Sequence, residues 1–197
     1  MTESPQETPA SVVLERTNLC DSLNQHELDE LAAVTSQRTL KKGELLCREG
    51  EQGASAFVVV SGEIEVFVGQ GQDKTVLATL RPYQLLGELS LLEPAARTAS
   101  ASATEPTVVL ELTHDRLQEL RDVLSSGAFK LIRAISQLIC QRIRDVNTLI
   151  EAELEKTEPG DESTSGAISN GDDGVGKSSG TEGHEVIGIF KRLFKGS

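Results

Sequence analysis

The sequence predicts a mainly β body with flanking helices: an antiparallel sandwich or jelly roll, closed by one long C-terminal helix. Three observations lead there. Short β runs punctuated by glycine fill residues 39–112, apolar residues recur at helical spacing from Ala128 to Leu154, and a Gly/Ser/Asp-rich stretch follows. Several short strands at such spacing are the mark of an antiparallel two-layer fold.

In chain order, residues 1–12 are polar with two prolines and read as disordered. A helix is expected from Asn24, with Glu27 completing a capping box and Leu28, Leu31, Ala32 and Val34 supplying an apolar face. The β runs are LLCR before the turn GEQG, AFVVV before SGE, IEVFV before GQGQDK, TVLATL before RPYQ, then SASAT and TVVLEL. Alternation in Ile64–Val68 and in Val108–Leu112 fits half-buried strands. Thr113 can cap a short helix through Leu120, and Ser125 or Ser126 can open a long one to about Lys156.

On that long helix Ala128, Ile132, Ile135, Ile139, Ile143, Val146, Ile150 and Leu154 recur at steps of three and four. The first half packs on the β body. The second half runs past its edge, so a parallel helix from a second copy is expected, making a homodimer. Residues 157–183 hold almost no large apolar residue and read as a flexible linker. In residues 184–197, Val186, Ile187, Ile189, Phe190, Leu193 and Phe194 fall on one helical side. Lys191, Arg192 and Lys195 fall on the other, giving a short, basic amphipathic docking helix. The folded unit is thus residues 13–156.

Composition removes several function classes. A net charge of −12 works against neutralising a nucleic-acid backbone. Aromatics at 3% with no Trp leave no stacking platform for single strands. Cys20, Cys47 and Cys140 are widely separated, without Cys-x-x-Cys or Cys/His clustering, so no metal site is expected. His26, His114 and His184 have neither metal spacing nor a neighbouring nucleophile, and no catalytic set emerges. Residues Gly171 to Ser178 fit G-x-x-x-x-G-K-S, but an acidic linker precedes them where a P-loop needs a buried strand. The absence of a signal-like start or a membrane-length apolar run points to the cytoplasm.

The functional stretch is LLGELSLLEPAARTASASA, Leu85 to Ala103. Gly87 permits close backbone approach, and Leu89, Ser90 and Leu91 can open a short helix whose amides face an anion. Glu88 is the wrong charge for phosphate but a good acceptor for a sugar hydroxyl. Arg97 is a fork-shaped cation suited to phosphate, and Thr98 adds a hydroxyl.

This run resembles the phosphate-binding cassette of the cyclic-nucleotide-binding domain family. That family takes in catabolite-activator-type regulators, cyclic-nucleotide-dependent kinases and gated channels. Gly87-Glu88, Ser90 and Arg97-Thr98-Ala99 match its pattern; Gly50-Glu51-Gln52-Gly53 followed by Ser61-Gly62 matches an earlier signature. The likeness runs from about residue 20 to 150 and implies a double-stranded β-helix, the jelly roll, with the ligand cAMP or cGMP. It implies main-chain contacts from Gly87, Leu89 and Ser90, a ribose contact from Glu88 and a phosphate contact from Arg97. Thr98 resembles the position in cGMP-preferring kinases and channels, although bacterial members with Ser or Thr there also take cAMP. Ala56 stands where the family usually has a large apolar residue, and Ala96 where a proline is common before the arginine. Residues 157–197 are too few for the winged helix that lets transcriptional members bind DNA, so no DNA partner is expected. The implied function is a non-enzymatic sensor that signals through its long helix and tail. The alternative is an adaptor or cargo protein with a degenerate nucleotide site, docked by its terminal helix to a protein assembly or a membrane surface.

Overall fold

In the computed structural model the described residues are 8–157. Two four-stranded antiparallel sheets form the body, with strand orders β1-β10-β4-β7 and β2-β9-β5-β6. The first holds β1 (Ser36–Leu40), β4 (Ser55–Ser61), β7 (Leu85–Leu86) and β10 (Thr107–Thr113). The second holds β2 (Leu45–Cys47), β5 (Ile64–Val68), β6 (Thr75–Leu80) and β9 (Ser100–Ala103). A two-residue ribbon pairs β3 (Gln52–Gly53) with β8 (Ala95–Ala96). This is the jelly roll implied by the resemblance.

Strand β4 explains why AFVVV shows no alternation. Phe57 and Val59 face the second sheet, packed with Leu40, Ile64, Val66 and Val109. Ala56 and Val58 face the helices, packed with Leu28, Leu31, Leu110 and Ile135. A strand buried on both faces is apolar throughout. At its end Gly62, with φ +84°, turns the chain into β5, and a Cβ there would lie 2.6 Å from the Pro106 carbonyl oxygen.

The helices α1 (Ala10–Glu15), α2 (Gln25–Ala33), α4 (His114–Asp122) and α5 (Ser126–Thr157) cover the first sheet. Helix α1 begins inside the stretch expected to be disordered. Val13 and Leu14 are buried against the sheet, and that burial orders a segment too short to be helical alone. The capping box of α2 forms: the Glu27 amide donates to Asn24 Oδ1 at 3.0 Å, and the Asn24 amide donates to Glu27 Oε2 at 2.8 Å. Thr113 caps α4 by accepting from the Arg116 amide.

Between α4 and α5 the chain closes a Schellman motif, with the Ser125 amide donating to Leu120 and the Leu124 amide to Arg121. Leu124 occupies the left-handed position usually given to glycine, at φ +59°. In α5 the inner residues Ala128, Leu131 and Ile135 are buried, whereas Ile143 and Ile150 are exposed.

Candidate functional site

The site begins where β7 ends. Gly87, at φ +81°, turns the chain from Leu86 toward the short helix α3 (Leu89–Leu92). A Cβ on Gly87 would lie 2.3 Å from Arg97 Nη1 and 3.0 Å from the Ser55 carbonyl oxygen. A Cβ on Gly53 would lie 2.3 Å from Arg97 Nε. Two glycines therefore leave, against Arg97, a slot that any side chain at either position would fill.

Arg97 lies in that slot, and its backbone is held by the GEQG turn. The Arg97 amide donates to the Glu51 carbonyl at 2.8 Å, and the Gly50 amide donates to the Arg97 carbonyl at 2.8 Å. Its Nη2 donates to the Ser55 carbonyl at 2.8 Å, and its Nη1 to Ser90 Oγ at 3.2 Å. The guanidinium carbon lies 5.5 Å from the centroid of the Phe57 ring. Arg97 thus faces inward, beside Gly87 and Glu88. All six residues singled out in the sequence (Gly87, Glu88, Leu89, Ser90, Arg97 and Thr98) line one cavity of about 150 Å³, with Cys47 and Ala99 in its wall.

The electrostatics of this cavity are uneven. The hydrogen-bond partners found for the half-buried Arg97 are neutral, and none of the ion pairs among the described residues includes it. A partly desolvated guanidinium facing a hollow favours an anion there. Glu88, only 3% exposed, has a cation already: it accepts a hydrogen bond from Arg142 Nη1 of α5. The Ser90 amide donates to the Gly87 carbonyl at 3.0 Å, closing the turn, and its hydroxyl is the group turned to Arg97. Burial pushes the Cys47 thiol up from its ordinary value, so this part of the wall is neutral at physiological pH.

Arg142 was not among the residues identified from sequence. It lines the cavity from a helix 54 residues beyond Glu88. The helical repeat marks apolar positions, and Arg142 lies beside that stripe, where a solvated cation is the ordinary expectation. Ala56, where the family usually has a large apolar residue, does not line the candidate cavity. Ala56 lines a separate apolar hollow of about 30 Å³ beneath α1 and α2, together with Leu14, Leu31 and Leu131. Ala96 does line the candidate cavity.

Among the described residues no group of three or more His, Cys, Asp or Glu side chains is arranged to hold a metal. No helix among them is long and apolar enough to cross a membrane. The docking residues Val186, Ile187, Ile189, Phe190, Lys191, Arg192, Leu193 and Phe194 lie outside the described residues, as does the G-x-x-x-x-G-K-S match at 171–178.

Comparison with known proteins agrees with the geometry. Residues 37–123 match the family model of the cyclic nucleotide-binding domain. The chain is 42% identical over 133 residues to a cGMP-dependent protein kinase of Eimeria tenella, a match covering 64% of this chain and 13% of the kinase. It is 34% identical over 126 residues to the transcriptional activator protein FnrA of Stutzerimonas stutzeri, covering 63% of this chain and 50% of the activator. The chain therefore spans half or less of the length of these curated relatives. Among solved structures, the N-terminal domain of a transcriptional regulator from Streptomyces coelicolor A3(2) superposes with a TM-score of 0.61 at 33% identity. That match covers 70% of this chain and 94% of the domain. With its jelly roll, its glycine-lined arginine slot and these likenesses together, the chain belongs to the cyclic nucleotide-binding domain family.

Proposed function

We propose that this protein is a non-enzymatic sensor: a cyclic nucleotide occupies the cavity between Arg97 and Glu88, and α5 registers its presence. One observation carries the reading. A half-buried guanidinium with only neutral partners found faces a cavity whose buried carboxylate is held by the long helix. The singly charged phosphate completes Arg97, and the ribose 2′-hydroxyl donates to Glu88. Thr98, exposed at the cavity mouth, adds a hydroxyl within reach of the base. Because Glu88 is also what Arg142 holds, a sugar hydroxyl arriving there alters the grip on α5. A ligand shifts a helix only through different affinity for two arrangements, and the shared carboxylate gives such a difference a physical origin.

Calorimetry of the full chain with cAMP and with cGMP tests this. Saturable binding of at least one is expected, weakened about 100-fold by Arg97→Ala, the scale of losing charge-assisted hydrogen bonds. A wild-type chain that binds neither nucleotide sinks the sensor.

A second reading is favoured by the segregation of apolar and basic residues in residues 186–195. Here the terminal segment attaches the protein to a protein assembly or an anionic membrane surface. Residues 184–197 fused to a fluorescent protein would be drawn to such a surface. A fusion that stays uniformly distributed in cells and off anionic vesicles removes this reading.

A further inference from the structure

The outer part of α5 carries an apolar groove that none of the described residues covers. Leu89, Ile139, Ile143, Val146 and Asn147 line it, with Arg142 at one edge, and it encloses about 270 Å³. Ile143 is 55% exposed and Leu89 49%. The steps of four and three from Ile139 to Ile143 and Val146 keep these side chains on one strip of the helix.

We infer that this groove is the resting site of the chain's own terminal segment, residues 186–194. The chemistry of the two surfaces matches. Six of those nine residues are large and apolar, as the groove requires. Residues 186–197 carry Lys191, Arg192 and Lys195 and no acid. Residues 148–157, which continue the helix past the groove, carry Glu151, Glu153 and Glu155 against Lys156 alone. The apolar side of the segment suits the groove, and its basic side suits the acidic end of the helix beyond it.

The connection is long enough. Helix α5 ends at Thr157. The 28 residues 158–185 are rich in Gly, Ser and Asp, and a linker of that composition spans about 30 Å root-mean-square. Ile143 is 14 residues back along the helix, about 21 Å. Tethering of this kind supplies an effective concentration on the order of 1 mM. Even a contact with a dissociation constant of about 100 μM is then closed about nine-tenths of the time.

Leu89 and Arg142 border both this groove and the nucleotide cavity, so an occupant of one touches residues that wall the other. The docking itself does not rest on the sensor reading; only its coupling to nucleotide does.

The test uses the full chain. Trypsin cleavage after Lys191 and Arg192 is timed in the wild type and in Ile143→Asp, a change at an exposed position that leaves the body folded. About tenfold faster cleavage is expected in the variant. Methyl NMR then compares the wild type with Phe190→Asp, which alters no described residue. Signals of Ile139, Ile143 and Val146 should move while those of Ile64 and Val66, between the sheets, stay fixed. Equal cleavage rates, or methyl signals unmoved by Phe190→Asp, overturn the proposal. So do groove signals that change with dilution alongside a dimer-to-monomer transition in sedimentation, since these give the groove to a second copy. None of these readouts uses nucleotide, so a failure to bind cAMP or cGMP would leave them standing.

Discussion

Gly53 and Gly87 both press close on the Arg97 guanidinium, yet they constrain it differently. Gly87 has a left-handed backbone, so alanine there adds about 1–2 kcal/mol of backbone cost to the collision with Nη1. Gly53 has no such conformation, and its cost falls on the arginine alone. Gly53→Ala is therefore expected to weaken nucleotide binding tenfold or more, about 1.4 kcal/mol, while the melting temperature barely moves. Calorimetry beside thermal unfolding separates the two effects; a variant binding like the wild type would remove the slot from the account. Each glycine was legible in the sequence as part of a motif. That both face one side chain was not, because the ribbon that brings Gly53 beside Arg97 is two residues long on each side. Strands so short have no periodicity to detect.

At the scale of elements, the contact of α2 with α5 is electrostatic as well as apolar. Glu27 is a capping residue of α2, and it also accepts from Lys130 Nζ at 2.7 Å and from Ser126 Oγ at 2.7 Å. The hydrogen bond from Lys130, followed by those from the Asn24 amide and Ser126, lowers its pKa from 4.5 to about 2. A carboxylate depressed in the folded state adds stability above its ordinary pKa and loses it as pH falls toward the folded value. The window here runs from about pH 4.5 down to about pH 2. Urea unfolding across that range should show the midpoint falling with acid in the wild type and a flatter profile in Glu27→Gln. Parallel profiles would mean that other carboxylates govern acid unfolding. The capping box was legible because it is local, with Asn24 and Glu27 three residues apart. Lys130 is 103 residues from Glu27, and only the folded topology brings the two together. Helix α1 escaped prediction for a similar reason, since Val13 is ordered by the sheet it touches and not by its neighbours in sequence.

For the molecule as a whole, α5 is anchored twice. Its first turns are fixed through Gly127, where a Cβ would approach the Glu27 carbonyl oxygen to 3.3 Å, and through the buried Ala128, Leu131 and Ile135. Farther along, Arg142 reaches back to Glu88. Removing one partner of a largely buried ion pair costs about 3 kcal/mol. Arg142→Ala should lower stability by about that amount and speed amide exchange in residues 138–147, with little change in residues 128–135. Uniform exchange along α5 in the variant would show that Arg142 does not secure the outer half. The general course of the helix was legible in its apolar repeat, whereas its tie to the pocket rests on a single cation off that repeat. The clamp on the Arg97 peptide has a consequence for judging relatives of this protein. The peptide that carries the guanidinium is held by the Gly50–Glu51 turn, and neither of these residues lines the cavity. Drift in that turn would silence the pocket while leaving its lining residues untouched. Under the proposed sensor, the residues equivalent to Glu88 and Arg97 are thus only half of what marks a working pocket in a relative, and an intact turn is the other half.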